Sequence, residues 1–342
     1  MIIHPVLSWL NEWWKGVVAT YGLPSWFIPA AQMVVHAILI AAFVAVLVLF
    51  LIWLTRKVSA HIQQRFGPMR VGWHGSVQTV ADALKLMQKE DTTPRSCDRP
   101  VFNIAPFLAF APTIVAFVVI PFGDGAIIRD LNIGVLFLFA ITTINVIGVI
   151  SGGWASGSKY SLMGGFRSAA QLVSYEVPLV LSALGVIMLA GSMKMGAIVD
   201  AQSRIWFVVY QPLAFVIYII AATAEVNRTP FDIPEAEQEI VSGFNIEYSG
   251  MKFAMFFLAE FANMFLIAAI AATLFLGGWR GPWLPGEFWF LAKSFAIVLL
   301  LMFFRWTYPR LRVDQLMSFA WKFLLPLAFL NLIITGLILV LI

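Results

Sequence analysis

Cysteine is almost missing from this chain: Cys97 is the only one in 342 residues. One thiol can neither hold an iron–sulfur cluster nor close an internal disulfide. Histidine is also scarce, and of His4, His36, His61 and His74 only His36 falls inside an apolar run. That leaves no histidine pair to ligate a haem within a membrane. Gly152–Gly153 and Gly164–Gly165 flank a short loop, but without the spacing of a nucleotide site. Metal-ligand spacing and a nucleophile–base pair are missing as well. An electron carrier, if one is used, must therefore sit on another chain. There is no internal repeat, which counts against the inverted-repeat architecture of many secondary transporters. No basic stretch with a cleavage site precedes the first apolar run, so no signal peptide is expected.

Charge is the next deficit. Only 12% of the residues are charged against 61% hydrophobic, with a mean hydropathy of +0.89, which excludes an ordinary soluble chain. Apolar runs of membrane-spanning length recur at 33–54, 101–121, 133–152, 170–191, 206–226, 252–276, 288–304 and 322–341. The expected fold is an all-α integral membrane protein of about eight transmembrane helices with amphipathic interfacial helices. The connections leave no room for a soluble domain, so residues 1–342 form a single multi-pass unit. Connections 55–100, 153–169, 227–250 and 305–321 carry fourteen Lys and Arg; the opposite set carries five. The first set should face the cytoplasm (the matrix in an organelle), with both termini on the other side. Trp9, Trp13, Trp14, Trp26 and Phe27 make the segment 1–32 suitable for a helix lying in the interface, with a frayed leader as the alternative.

Against this background the acids stand out. Between Asp232 and Glu247 there are five carboxylates, and Arg228 is the single Lys or Arg of the 227–250 connection. Pro230 and Pro234 should stop the preceding span, and a short helix restarting near Pro234 would place Glu235, Glu237 and Glu239 at its N-terminus. That plain helix-dipole reading does not explain the acids inside neighbouring spans. Glu176 should lie about 9 Å and Glu260 about 12 Å below the cytoplasmic surface at helical rise. Glutamate is too short to snorkel from such depths, and burial favours its neutral form, which suits proton uptake. Glu225 ends the fifth span, where an interfacial anchor is an equally simple reading. Lys293 and Lys322 have longer stems near span ends and should snorkel; Lys252 reads as an anchor.

The long connection 55–100 contains Val77, Val80, Ala81, Leu84 and Met87 on one helical face, with Gln78, Asp82, Lys85 and Lys89 on another. This predicts an interfacial amphipathic helix. Gly67, Pro68, Gly72 and Gly75 before it predict a turn-rich crossing with close backbone approach.

The string AEVNRTPFDIPEAEQEIVSGFNIEYSGMKFAMFFLAEF resembles the signature of subunit 1 (the bacterial H subunit) of respiratory complex I, NADH:quinone oxidoreductase. QQRFGPMRVGWHGSVQTVADALKLMQKE, SKYSLMGGFRSAAQLVSYEVPL, LFLGGW and RWTYPRLRVDQLMSFAWKFLLPL agree with it in the expected order, from about Arg56 to the C-terminus. The resemblance implies a quinone-binding subunit of a proton-translocating respiratory enzyme, in the bacterial cytoplasmic or mitochondrial inner membrane. Quinone would be substrate rather than a bound cofactor, and no metal or cluster would sit in this chain. Electrons would come from an iron–sulfur cluster of a peripheral subunit. Small membrane subunits, antiporter-like subunits and the lipid bilayer would be the other partners, and nucleic acid none. Carried over by motif, the quinone-chamber side comprises Arg56, Gln63, Arg65, Asp82, Lys85, Arg228, Phe231 and Asp232. The proton-channel side comprises Arg167, Tyr175, Glu176, Glu225, Glu235, Glu237, Glu239, Glu247 and Glu260. Many family members have an acid before the Arg-Lys pair that ends the first span; here it is Thr55, so that position departs from the pattern.

Two rivals stay open at this level. One is the related subunit of a membrane-bound hydrogenase or ferredoxin-linked complex, against which the intact PFDIPEAEQE and GFNIEYSG strings count. The other is a free-standing proton or cation transporter, against which the missing repeat and the long connection 55–100 count.

Overall fold

The computed structural model describes residues 27–234 and 237–341, with the side chains of 27–29, 237 and 238 excepted. The expected interfacial segment therefore falls mostly outside the described residues, as does Glu235. All regular elements among the described residues are helical. Seven helices are long and apolar enough to cross a membrane.

The first, α1 (Phe27–Ile62), has 36 residues, about 54 Å at helical rise and well beyond the hydrocarbon thickness of about 30 Å. Its last turns thus project past the apolar region and carry Arg56, Lys57 and His61. The amphipathic α2 (Gln78–Gln88) follows. Val77, Val80, Leu84 and Met87 are 47%, 40%, 54% and 64% exposed, so its apolar face points away from the protein, as an interfacial helix requires. The next spans are α3 (Arg99–Ala116), α4 (Gly134–Ala155) and α5 (Lys159–Ala190). Short α6 (Met195–Ala201) and α7 (Phe207–Tyr210) lead to α8 (Pro212–Glu225). After α9 (Glu237–Ile240) come α10 (Gly250–Phe275), α11 (Gly286–Thr307), α12 (Val313–Phe319) and α13 (Leu325–Leu341). A π turn, Ala320–Leu324, joins the last two into one span.

Helix α10 is the core element. It is apolar on all sides, which destines a helix for burial, and it packs against α3, α11, α1 and α2. Around it, α3 pairs with α4, α4 with α5, and α5 with both α8 and α13.

Three expectations need correction. The 206–226 run is not one helix: it breaks at Gln211, whose φ of −129° and ψ of 54° are non-helical. The break is bridged by side chains, with Gln211 Nε2 donating to Thr335 Oγ1 at 2.6 Å and Asn331 Nδ2 to Gln211 Oε1 at 2.8 Å. Pro212 could not have accepted a continuous ladder. Secondly, α5 starts at Lys159 rather than near 170, so most of the expected 153–169 connection is helical and Glu176 lies near the middle of a helix. Hydropathy sees only the apolar part of such a helix, whereas its polar first turns are held by the loop packed on them. Thirdly, Lys293 does not snorkel. It is 7% exposed, and its ammonium donates to the carbonyls of Leu276, Gly278 and Arg280 at 2.6, 3.0 and 2.6 Å. It ties the carbonyl of Leu276, which caps α10, to those of Gly278 and Arg280 in the turn that follows, and a cation is favoured by the helix dipole at that end. Lys322 is exposed as expected, and Lys252 pairs with Asp91 at 2.7 Å.

Candidate functional site

The segment between α8 and α10 folds back under α5 and is held from inside. Gln171, on α5 and 1% exposed, donates through Nε2 to the carbonyls of Ala224 and Phe231, both at 2.7 Å. The same nitrogen approaches Asn227 Oδ1 at 3.1 Å. One buried amide thus fixes both limbs of the turn that carries Arg228. Gly164 lets the far part of the loop approach α5: a Cβ there would lie 2.5 Å from the Cα of Gly243. The loop's exit is anchored by Tyr248, which stacks on Phe102 at 4.1 Å and donates to its carbonyl at 3.2 Å. Burial, together with the nearby Cys97, pushes the Tyr248 hydroxyl well above its ordinary value, against a smaller opposing effect from Ser156. It remains a donor at any physiological pH.

This turn aims Arg228 at α10. Its Nη2 lies 2.8 Å from Glu260 Oε1, with the two side chains only 8% and 14% exposed. Its guanidinium sits 4.7 Å from the centre of the Phe261 ring, a cation–π contact. The ion pair closes one wall of a cavity of about 400 Å³ whose other walls come from α1, the 63–68 turn and α11. Arg56, Arg65, Arg228 and Arg305 line it, with Glu260 as the only lining acid among the described residues. Phe257, Phe261, Trp306 and Ile52 supply the apolar surface. Thr55 and Ser59 line it too, both buried; Thr55 bonds the Leu51 carbonyl at 2.8 Å and brings no charge.

Among the sequence-predicted residues, the cavity therefore unites Arg56, Arg65 and Arg228 with Glu260, which the motif had placed on the channel side. The others lie around it. Arg56 pairs with Asp82 at 2.7 Å, and the exposed Lys85 reaches Asp82 only at 4.0 Å. Burial opposes ionisation of Asp82, but the hydrogen bond and charge of Arg56, helped by Gln78 and Lys85, outweigh it and hold the carboxyl below its ordinary value. Gln63 accepts a 2.6 Å bond from Arg65 Nε and so positions that arginine. Phe231 is buried against Tyr175, ring centres 5.2 Å apart, and does not line the cavity. Asp232 pairs with Arg310 at 2.8 Å.

On the channel side, Glu225 and Glu260 border one small polar gap of about 30 Å³ together with Asn145, Asn227, Asn245 and Asn263. Glu176 is hydrogen-bonded by Thr143 of α4. Tyr175 is fully buried and donates to the Leu316 carbonyl at 3.0 Å, which makes it a tie between α5 and α12. Arg167 pairs with Glu239 at 2.6 Å, Glu239 being half-exposed. Glu237 opens α9, and half-buried Glu247 borders neither space.

Sequence reasoning missed Gln171, Arg305, Arg310, Asn145 and Asn263 as site residues. A signal existed for Gln171 and Asn263, since an amide in an apolar span costs free energy unless it is bonded. For Arg305 and Arg310 the only signal was their place in the RWTYPR string. Orphaned buried polar atoms gather here: Arg228 Nε, Gln171 Oε1, Asp232 Oδ1 and Ser168 Oγ make no hydrogen bond among the described residues, and Arg228 Nη2 has only its ion pair with Glu260. Such a concentration suits a place where water or a ligand supplies the missing partners.

Comparisons with known proteins identify the family of the chain. A family model described as NADH dehydrogenase matches residues 35–336. The chain is 52% identical over 305 residues to the NADH-quinone oxidoreductase H subunit of Dehalococcoides mccartyi (strain ATCC BAA-2266 / KCTC 15142 / 195), covering 89% of this chain and 86% of the relative. To the H subunit of the same enzyme from Geobacillus kaustophilus (strain HTA426) it is 49% identical over 320 residues, covering 92% and 96%. To that of Bacillus cereus (strain B4264) it is 50% identical over 288 residues, covering 83% and 86%. With its family model spanning most of the length and half of its residues shared with such relatives, this multi-pass membrane chain belongs to the family of NADH-quinone oxidoreductase H subunits.

Proposed function

We infer that the arginine cavity is the part of a quinone chamber contributed by this chain, and that the acids beyond it couple quinone reduction to proton translocation. The observation that carries this reading is the cavity itself, with apolar and aromatic walls, four arginines and, among the described residues, a single lining acid. A quinone is an apolar ring with two carbonyl oxygens. Its ring and tail suit Phe257, Phe261 and Ile52, and its oxygens suit the guanidinium donors that line the cavity. Two electrons from the iron–sulfur cluster of a peripheral subunit and two protons convert it to the quinol. Negative charge developing on its oxygens is stabilised by guanidinium groups already held in place.

The same charge acts on Glu260, 2.8 Å from Arg228. An anion beside Arg228 competes for that cation and weakens its hold on Glu260, which frees the carboxylate to accept a proton. Glu260 shares the small asparagine-lined gap with Glu225, so the proton's next neighbour is at hand, with Glu176 beyond on α5. Antiporter-like subunits would receive the proton or the displacement it causes. In this reading the Arg56 end faces the cytoplasm, under the peripheral subunits.

The test is Arg228→Met in the assembled enzyme. Quinone-reductase turnover should fall by about 100-fold, the usual cost of one preorganised donor, while reduction of an artificial acceptor by the peripheral subunits continues. Unchanged quinone kinetics would sink the assignment.

A further inference from the structure

A second hollow lies on another face of α1, away from the Arg228–Glu260 pair. Phe43, Val46 and Phe50 are 39%, 67% and 43% exposed and form a stripe along the helix. Trp53, Leu54, Lys57 and His61 continue it at spacings of three and four residues, hence on the same face. From Val46 to Lys57 the helix rises about 16 Å, close to the hydrocarbon depth of one leaflet. The stripe ends in a hollow of about 660 Å³, roofed by the loop that folds back from Gln64 to His74. Trp53 Nε1 ties this roof down by donating to the His74 carbonyl at 3.2 Å. Gly67 presses on the lysine stem: a Cβ there would lie 3.1 Å from Lys57 Cδ.

The hollow is chemically one-sided. Its walls are apolar and aromatic, its charged lining residues are Lys57 and Arg65, and no Asp or Glu among the described residues lines it. Among the described residues the Lys57 ammonium has a single hydrogen-bond acceptor, the Met69 thioether sulfur at 3.1 Å. A thioether is a weak acceptor, and no carboxylate of the described residues is in ion-pair range of Lys57. Phe66 and Trp73, 88% and 79% exposed, stand at the rim as interfacial aromatics do.

We propose that this hollow binds an anionic phospholipid of the membrane, its phosphodiester on Lys57 and Arg65 and its acyl chains along Phe43, Val46 and Phe50. A leaflet-length apolar stripe ending in uncompensated cations complements such a lipid, and basic pockets beside membrane helices select anionic headgroups. A neutral quinone would leave Lys57 unmatched. Because Arg65 borders both hollows, the bound headgroup would neighbour the arginine cavity. The proposal stands whether or not that cavity takes a quinone.

The test uses the intact enzyme, stripped of lipid and reconstituted in phosphatidylcholine bilayers. These carry a trace of either phosphatidylglycerol or phosphatidylcholine with a photoreactive diazirine in the acyl chain. After illumination, adducts should map to residues 43–74, in excess with phosphatidylglycerol. Lys57→Gln should cut that preference about fivefold, the share of one cation near an anionic headgroup. Lys57→Arg should retain it, and both variants should keep quinone turnover in pure phosphatidylcholine. Equal labelling by the two lipids would reduce the hollow to an annular contact and overturn the proposal. So would displacement of the adduct by a short-chain quinone, or no labelling of this segment because another protein covers it.

Discussion

Two buried cations, at opposite ends of the helix bundle, are built in different ways. Lys293 donates to three backbone carbonyls at the end of α10, and 4.6 Å from its nitrogen lies the centre of the Trp206 ring. No carboxylate of the described residues takes part in its bonding. Arg228 instead faces the acid Glu260 near the middle of α10, keeps Nε without a hydrogen bond among the described residues and borders a cavity. A cation whose donors all end on fixed backbone can only hold the structure together. A cation with spare donors and a titratable partner can respond when charge appears beside it. Burial alone therefore does not mark a functional charge; what its donors are committed to does.

The comparison can be broken most forcefully at Lys293. Lys293→Met removes a buried cation from three carbonyls and leaves them unpaired, at a cost of about 3 kcal/mol or more. The yield of assembled enzyme and its unfolding temperature should both drop, with no selective effect on quinone kinetics in what survives. A selective loss of turnover at normal stability would contradict the structural role. Gln171→Leu should come next, destabilising the 224–231 turn by about 1–3 kcal/mol through its two orphaned carbonyls. Faster amide exchange confined to this turn, with a raised quinone KM, is the expected signature.

Glu260→Gln and Glu176→Gln sharpen the other half. The amide retains an acceptor for Arg228 or Thr143, so assembly should persist, whereas the site can no longer ionise. The proton-to-electron ratio in reconstituted vesicles should fall in each variant. Normal pumping in both would make these acids structural polar groups like Lys293. The smallest effect belongs to Asp82, whose folded pKa is depressed. Its tie to Arg56 is present above the ordinary aspartate range and is lost as pH falls through the depressed folded value. Because both partners are partly exposed, it contributes less than about 1 kcal/mol. Asp82→Asn should erase the acid-side loosening of α2 measured by amide exchange and change little at neutral pH.

Much of the site was legible because its residues are improbable where they stand. Glu176, Glu225 and Glu260 interrupt apolar runs, and Arg228 is the lone base among five acids. The amphipathic α2 was legible from periodicity, and its apolar face does point outward. What failed has a common cause. The 206–226 run looked like one span because hydropathy averages over the break at Gln211. Lys293 looked like a snorkelling anchor because its distance from the span end says nothing of the loop folded over it.

By itself the sequence determined that this is a helical membrane chain and where its charge is concentrated, since both follow from transfer free energies that depend on residue type and local spacing. It also determined the family, through strings long enough to be specific. Only the tertiary structure decided that Arg228 takes Glu260, that Asp232 takes Arg310 rather than its neighbour Arg228, and that Gln171 holds the turn between them. The same holds for the separation of the two hollows on different faces of α1. These choices turn on which helices lie side by side and how far their axes are rotated, and an ion pair or a hydrogen bond is decided within about an ångström, far below what spacing along the chain can specify.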